Sequence, residues 1–253
     1  MRDPNRIDSF CKKLAQYWKN VPDWRFGQLI SNVYGASGIR DPFFAEEDET
    51  LELFEKFFYK PKDVLVILIG KSGSGKSSVG QELVDRGYRK IITTTTRPPR
   101  DGEVNAKDYT LVDDETFEKF KANGYFVETR EYETTEGIWK YGSAVKSFEN
   151  VTNKEVVILT PDAIPDVIPI LRKNNKAYIV VYLKADDNVL RKRLYERGDA
   201  SEEIERRLKA DDYDFMKAAV WSDFNIPVEG KTVEQIADTI CGLVDKKMGL
   251  NNN

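Results

Sequence analysis

The sequence contains no histidine. That gap removes the Ser-His-Asp triad, the Cys-His pair, the HExxH zinc site and any imidazole general base. Catalysis, where there is any, has to run on positioning, cations and carboxylates. Cysteine is almost as scarce. Cys11 and Cys241 stand alone, too few for a disulfide framework, and are read as reduced, partly buried thiols of an intracellular protein. No apolar run approaches the ~18 residues of a membrane span; the longest strongly apolar stretch is 64–69. Met1-Arg2-Asp3-Pro4 lacks the apolar core of a secretory signal, so the expected location is cytoplasmic, with no membrane partner. An excess of one charge is missing too. With 39 basic and 43 acidic residues the net charge is −4, and no global basic field points to nucleic acid.

What remains is the balance of a cored globular chain, 40% hydrophobic and 32% charged over 253 residues. That length suits one large α/β domain with a small appendage. The division is expected at Tyr59-Lys60-Pro61-Lys62-Asp63. Residues 1–60 read as an all-α region with helices over 8–19, 24–34 and 47–58, broken at Val21-Pro22-Asp23 and across 35–42. Trp18, Trp24 and Phe26 are expected in its core, and the acidic run 46–49 at the start of its last helix. After Pro61, apolar strands (64–69, 156–159, 177–183) alternate with helical stretches (76–86, 165–173, 188–197, 202–215, 233–246). Such alternation implies a mainly parallel sheet flanked by helices. Residues 93–147 break it with short aromatic-rich strands at 109–112 and 125–130, an α+β insertion. The polar tail 249–253 reads as disordered.

The strongest chemical signal is Gly70-Lys71-Ser72-Gly73-Ser74-Gly75-Lys76-Ser77, which fits G-x-x-x-x-G-K-[ST] at every fixed position. Its glycines let the backbone curl so that successive N–H groups face an anion, and the helix that succeeds it adds its positive end. It also sits between a six-residue aliphatic strand and a helix, where that mechanism requires it. The reading is a nucleoside triphosphate site built from Gly70, Ser72, Gly73, Ser74, Gly75, Lys76, Ser77 and Ser78. Lys76 reaches the β- and γ-phosphates, and the Ser77 hydroxyl ligates Mg2+.

A phosphate loop alone leaves the class open. The next segment, Thr93-Thr94-Thr95-Thr96-Arg97-Pro98-Pro99-Arg100-Asp101-Gly102-Glu103, sets two arginines three apart in a proline-stiffened loop. Lys107-Asp108-Tyr109, Phe126-Val127-Glu128 and Tyr141-Gly142-Ser143 come after it in order. With these motifs the chain resembles the guanylate kinase family over about 62–246. The resemblance implies ATP as donor with Mg2+, and GMP or dGMP as acceptor. It assigns Arg97, Arg100, Tyr109 and Tyr141 to the acceptor phosphate, and Thr93, Glu128 and Ser143 to the guanine edge. Glu103 belongs to the same acceptor motif. A phosphate dianion suits guanidinium forks and tyrosine hydroxyls, and a carboxylate facing guanine N1–H and N2–H2 would reject adenine.

The stretch 188–209 holds seven basic residues from Arg191 to Lys209 and resembles the family's mobile lid. The resemblance gives Arg193, Arg197 and Arg207 the transferring phosphoryl group as catalytic partners of Lys76, while Arg191 and Arg206 are expected to face water. Two departures stand out. The strand near 156–159 runs into Thr160-Pro161-Asp162, with Thr160 where the family has an acid and no Gln-Gly pair after it. Asp162 is left to orient a metal-bound water or an acceptor-binding arginine, or simply to cap the next helix. The loop 132–140, with Trp139, reads as longer than the family's turn. The fold class is thus α/β, a P-loop kinase domain over 61–248 with an acceptor-binding insertion and a lid. Residues 3–7 and 22–30 weakly resemble a family of short bacterial proteins of unassigned function. Two other readings stay open: a kinase for another nucleotide or small phosphate acceptor, and a non-catalytic interaction module.

Overall fold

Three amphipathic segments before Pro61 and the buried strands after it sort into separate compact units, Met1–Lys60 and Pro61–Asn253. The computed structural model describes residues 3–39, 41–43, 45–99, 104–105, 109–134, 137–216 and 218–250. In the first unit, α1 (Asn5–Trp18), α2 (Phe26–Ala36) and α3 (Glu47–Phe58) enclose a small core. Leu29, Val33, Tyr34 and Phe54 form its buried centre, with Leu14, Tyr17, Trp18 and Trp24 packed around them. Glu47, Asp48 and Glu49 occupy the first turn of α3, where acids meet the positive helix end. The Trp18 indole N–H donates to the Trp24 carbonyl at 2.7 Å. Phe26 departs from expectation. It leans on Trp18 with ring centres 5.5 Å apart but stays 49% exposed, because it opens α2 rather than joining the Leu29–Val33 stripe.

The second unit runs β1 (Val64–Ile69), α4 (Lys76–Asp85), β2 (Arg89–Lys90), β3 (Thr94–Thr95), β4 (Thr110–Leu111), α5 (Asp114–Ala122), β5 (Phe126–Thr134), β6 (Gly137–Ala144) and α6 (Val145–Glu149). It continues with β7 (Lys154–Ile158), a 3-10 turn (Pro161–Ala163), α7 (Ile164–Lys173), β8 (Ala177–Lys184), α8 (Asp187–Glu196), α9 (Ser201–Asp214), α10 (Ala218–Trp221), β9 (Phe224–Pro227) and α11 (Val233–Met248). The larger sheet has the order β2-β7-β1-β8-β9, and every neighbouring pair is parallel. β1 lies at its centre with all six residues buried. Its side chains alternate between the two faces, as strand geometry dictates. Val64, Val66 and Leu68 pack with Val79 and Leu83 of α4 and Ile236, Ile240 and Val244 of α11. Leu65, Ile67 and Ile69 pack with Phe148 of α6 and Ile164, Val167 and Leu171 of α7. One strand therefore seams two cores and delivers the phosphate loop at its C-terminal end.

The smaller sheet, β4-β3-β6-β5, mixes one parallel pair with two antiparallel ones. The stretch 132–140, read from sequence as a lengthened loop, is largely strand: β5 and β6 pair from Glu128↔Ser143 out to Thr134↔Gly137. Polar, aromatic and aliphatic residues mix along it without a clean alternation, which hides the period of two that marks a half-buried strand. A bulge between Phe126 and Glu128 adds one residue on β5 and re-aims the side chains beyond it. Glu128 thereby comes opposite Ser143. Gly142 is required beside it, since a Cβ there would lie 2.8 Å from the Phe126 ring. α8 and α9 hold together through Leu190, Leu194, Ile204 and Leu208, a private core for the segment expected to act as a lid. The tail residues 251–253 lie outside the described residues.

Candidate active site

The phosphate loop leaves β1 and enters α4 through Gly73 and Gly75, at φ +78° and +94°, conformations that favour glycine. Gly70 is needed for space: a Cβ there would come within 2.5 Å of the Ser74 hydroxyl and 2.8 Å of the Leu183 carbonyl. Lys76 opens α4 and curls back, donating to the carbonyls of Gly70 at 2.5 Å and Lys71 at 3.0 Å. Burial pushes its ammonium down to about 8; the nearby Asp211 carboxylate opposes that shift, and Arg197 adds to it.

Around this loop lies a cleft of about 1150 Å3. Gly70, Ser72, Gly73, Ser74, Gly75, Lys76, Ser77 and Ser78 all line it, as do Thr93, Tyr109, Glu128, Tyr141 and Ser143 from the smaller-sheet region. Arg193, Arg197 and Arg207 line it from the α8–α9 segment. Residues separated by more than a hundred positions thus face one space. At its smaller-sheet end, the Ser143 hydroxyl donates to Glu128 at 2.5 Å. Burial raises the Glu128 carboxyl above its ordinary range, against the pull of Ser143 and Arg130. Tyr109 and Tyr141 meet edge to face with centroids 6.2 Å apart.

Other expected residues lie elsewhere. Arg97 is buried, 3% exposed, with its guanidinium 5.4 Å from the Tyr109 ring centre and donating to the Pro98 carbonyl at 2.7 Å. It packs on Tyr109, which lines the cleft. Arg100 and Glu103 fall outside the described residues, as do Lys107 and Asp108. Asp162 sits in the 3-10 turn and pairs with Arg130, which also approaches Asp166 at 3.6 Å and Glu128 at 3.9 Å.

Two of the three arginines expected to act as a lid are held by carboxylates of their own segment. Arg197 pairs with Asp199, Arg207 donates to Glu203 at 2.6 Å, and Arg206 holds Glu203 at 2.7 Å. Together, Arg206 first, these pull the Glu203 carboxyl to about 2. Arg193 turns inward and donates to the Gly73 carbonyl at 3.5 Å. Arg191 is exposed on Glu205 as expected, but Arg206 lines the cleft.

Sequence reasoning passes over Arg130, Tyr132, Asp211 and Asp214, all on the cleft wall. Arg130 and Tyr132 continue the period of two from Glu128 along β5. Asp211 and Asp214 succeed Arg207 on one face of α9 at helical spacing. Asp211 accepts from the Ser72 amide at 2.5 Å. The donor set suits a magnesium nucleotide. The Ser74 hydroxyl is buried with no hydrogen-bond partner among the described residues, an unmet polar group in the curl of the loop. No cluster of three or more acidic or cysteine side chains fit to hold a metal occurs among the described residues, so a cation would depend on Ser77 and on phosphate oxygens, as Mg2+ commonly does.

The chain is similar to known proteins over most of this second unit. The sequence model of the guanylate kinase family matches residues 62–247. A guanylate kinase of Streptomyces kasugaensis is 31% identical over 189 residues, 73% of this chain and 88% of its own length. One from Thermus thermophilus is 29% identical over 185 residues, 72% of this chain and 81% of its own. The crystal structure of guanylate kinase from Anaplasma phagocytophilum superposes with a TM-score of 0.56 at 21% identity, over 75% of this chain and 89% of that one. That likeness covers the fold.

Proposed function

The chain belongs to the guanylate kinase family, and from that premise we propose that this nucleoside monophosphate kinase moves the γ-phosphoryl group of ATP onto the phosphate of GMP or dGMP. The bond from the γ-phosphorus to ADP breaks, a bond to an acceptor phosphate oxygen forms, and ADP and the guanine nucleoside diphosphate leave. Such a transfer spreads charge over the equatorial oxygens, so the protein contributes alignment and cations. The observation that carries the reading is one cleft with two differently built walls: the glycine cradle with Lys76 on one, and Glu128 with Ser143 on the other.

In this reading Lys76 tracks the charge of the transferred group, and Arg193, Arg197 and Arg207 exchange their present partners for phosphate oxygens. Ser77 would hold Mg2+ together with the donor's phosphates, and the cation would supply charge neutralisation there. Glu128 accepts from guanine N1–H and N2–H2, with Thr93 and Ser143 beside it. Tyr109 and Tyr141 hold the acceptor phosphate, Arg97 stiffens Tyr109 from behind, and Arg100 and Glu103 belong to the same loop. Asp162 acts through Arg130.

One observation favours a second reading, a different nucleoside monophosphate: Arg130 brings a guanidinium to within 3.9 Å of Glu128 on the wall assigned to the base. Turnover with ATP, coupled to ADP detection, across GMP, dGMP, AMP, CMP, UMP and dTMP separates the two. Activity with the guanine nucleotides is expected. Activity with another monophosphate and none with GMP or dGMP would overturn the guanine assignment.

A further inference from the structure

Three residues of the phosphate loop bond to the α8–α9 segment. Lys71 Nζ donates to Asp187 at 2.8 Å and Asp212 at 2.5 Å, Arg193 donates to the Gly73 carbonyl, and the Ser72 amide donates to Asp211 Oδ2 at 2.5 Å. The first two match cation to anion or donor to carbonyl. The third is of another kind. It sets a carboxylate on a backbone amide of the loop whose amides, on the function proposed above, serve phosphate. Burial raises the Asp211 carboxyl above its ordinary range, against the pull of the Ser72 amide, the Lys76 ammonium and Lys71, and Asp214, one turn further along α9, repels its charge. Asp211 thus presents what a phosphate oxygen would present: an anionic acceptor, on a loop amide and near the loop ammonium. Charge-assisted bonds of this sort are roughly twice as strong as neutral ones, and a group already tethered nearby acts at high effective concentration.

We infer that Asp211 is a tethered anion that competes with the donor's phosphates for the Ser72 amide and Lys76, so that donor binding has to break the contact between α9 and the phosphate loop. The inference rests on the reading that this loop takes the donor nucleotide. It gives α9 a function of its own, because displacement of Asp211 couples occupancy of the loop to release of the segment that carries Arg207.

The test is calorimetric titration of the full chain with ADP in the absence of metal, so that charge competition is read without a cation between the anions. Asp211→Ala should bind ADP about tenfold more tightly than the wild type. Asp211→Asn, which keeps an acceptor for Ser72 but loses the charge and preserves the side-chain shape, should fall between them. Unfolding transitions matching the wild type show that the gain comes from the site. Unchanged or weaker binding by both folded variants overturns the competition. If the wild type and a folded Lys76→Ala variant bind ADP equally, or neither binds, the nucleotide reading of the loop has failed and takes this inference with it.

Discussion

The two ends of the cleft are made of different material. The end proposed for the donor is backbone: glycines that curl a loop, one lysine and the end of a helix. The end proposed for the acceptor is side chain: a carboxylate on β5 and a hydroxyl on β6 set opposite each other by a bulge, with Tyr141 on the hydroxyl's own strand and Tyr109 just before β4. A backbone cradle depends on a few residues that are adjacent in sequence and on space. A side-chain wall depends on the register of a small sheet whose strands lie up to some fifty positions apart. The first should be sensitive to charge and indifferent to the acceptor, whereas the second should fail selectively for one nucleotide base.

Substitution of Lys76 by Ala tests the donor end most severely. Loss of one preorganised cationic donor at a reacting phosphate should lower kcat/KM by roughly 10²–10³-fold for every acceptor alike. Thermal unfolding should stay within a few degrees of the wild type, because a desolvated charge is removed along with its two carbonyl contacts. Steady-state kinetics and a melting curve check both halves. Glu128→Gln should act at the other end alone. Losing a charged acceptor for the guanine edge should raise the acceptor KM by about 10–100-fold, the equivalent of 1.5–3 kcal/mol, with the KM for ATP unmoved. An equal rise in both constants would erase the distinction between the two walls.

The smallest expected effect is in pH. The Lys76 ammonium is held down at about 8, whereas bound phosphate favours its charged form. Affinity for the donor should therefore be flat below that pH and fall by up to about tenfold per unit above it, as the free protein loses the proton. A titration of ADP binding from pH 6.5 to 9.5 reads this directly. The acceptor KM should show no matching inflection there.

The donor end is also the more legible in sequence, for the same physical reason. Gly70 to Ser77 act through local backbone geometry, so their spacing carries the mechanism, and the preceding aliphatic run places β1 at Val64–Ile69. The acceptor wall is readable through its resemblance to a family rather than from any period. Where resemblance ends, so does foresight: Arg130 closes the strand expected over 125–130 with nothing local to mark it as a cleft residue, and Tyr132 lies where β5 runs on into the stretch read as loop. Asp211 and Asp214 pass for the solvated side of a charged helix, because nothing local reveals that α9 crosses over the phosphate loop. Arg206 reads as solvent-facing for that reason as well. Phe26 reads as core, though a residue opening a helix commonly lies beyond the buried stripe.

The arginines of the α8–α9 segment have one more consequence. Arg197, Arg206 and Arg207 already carry Asp199 and Glu203 as resident counter-ions. On the proposed function, handing a guanidinium to a phosphate is then a swap of one anion for another, and the net driving force is the difference between two ion pairs rather than the whole of one. A balance of that size is easily reversed, which is what an enzyme that must let its products go at every turnover requires.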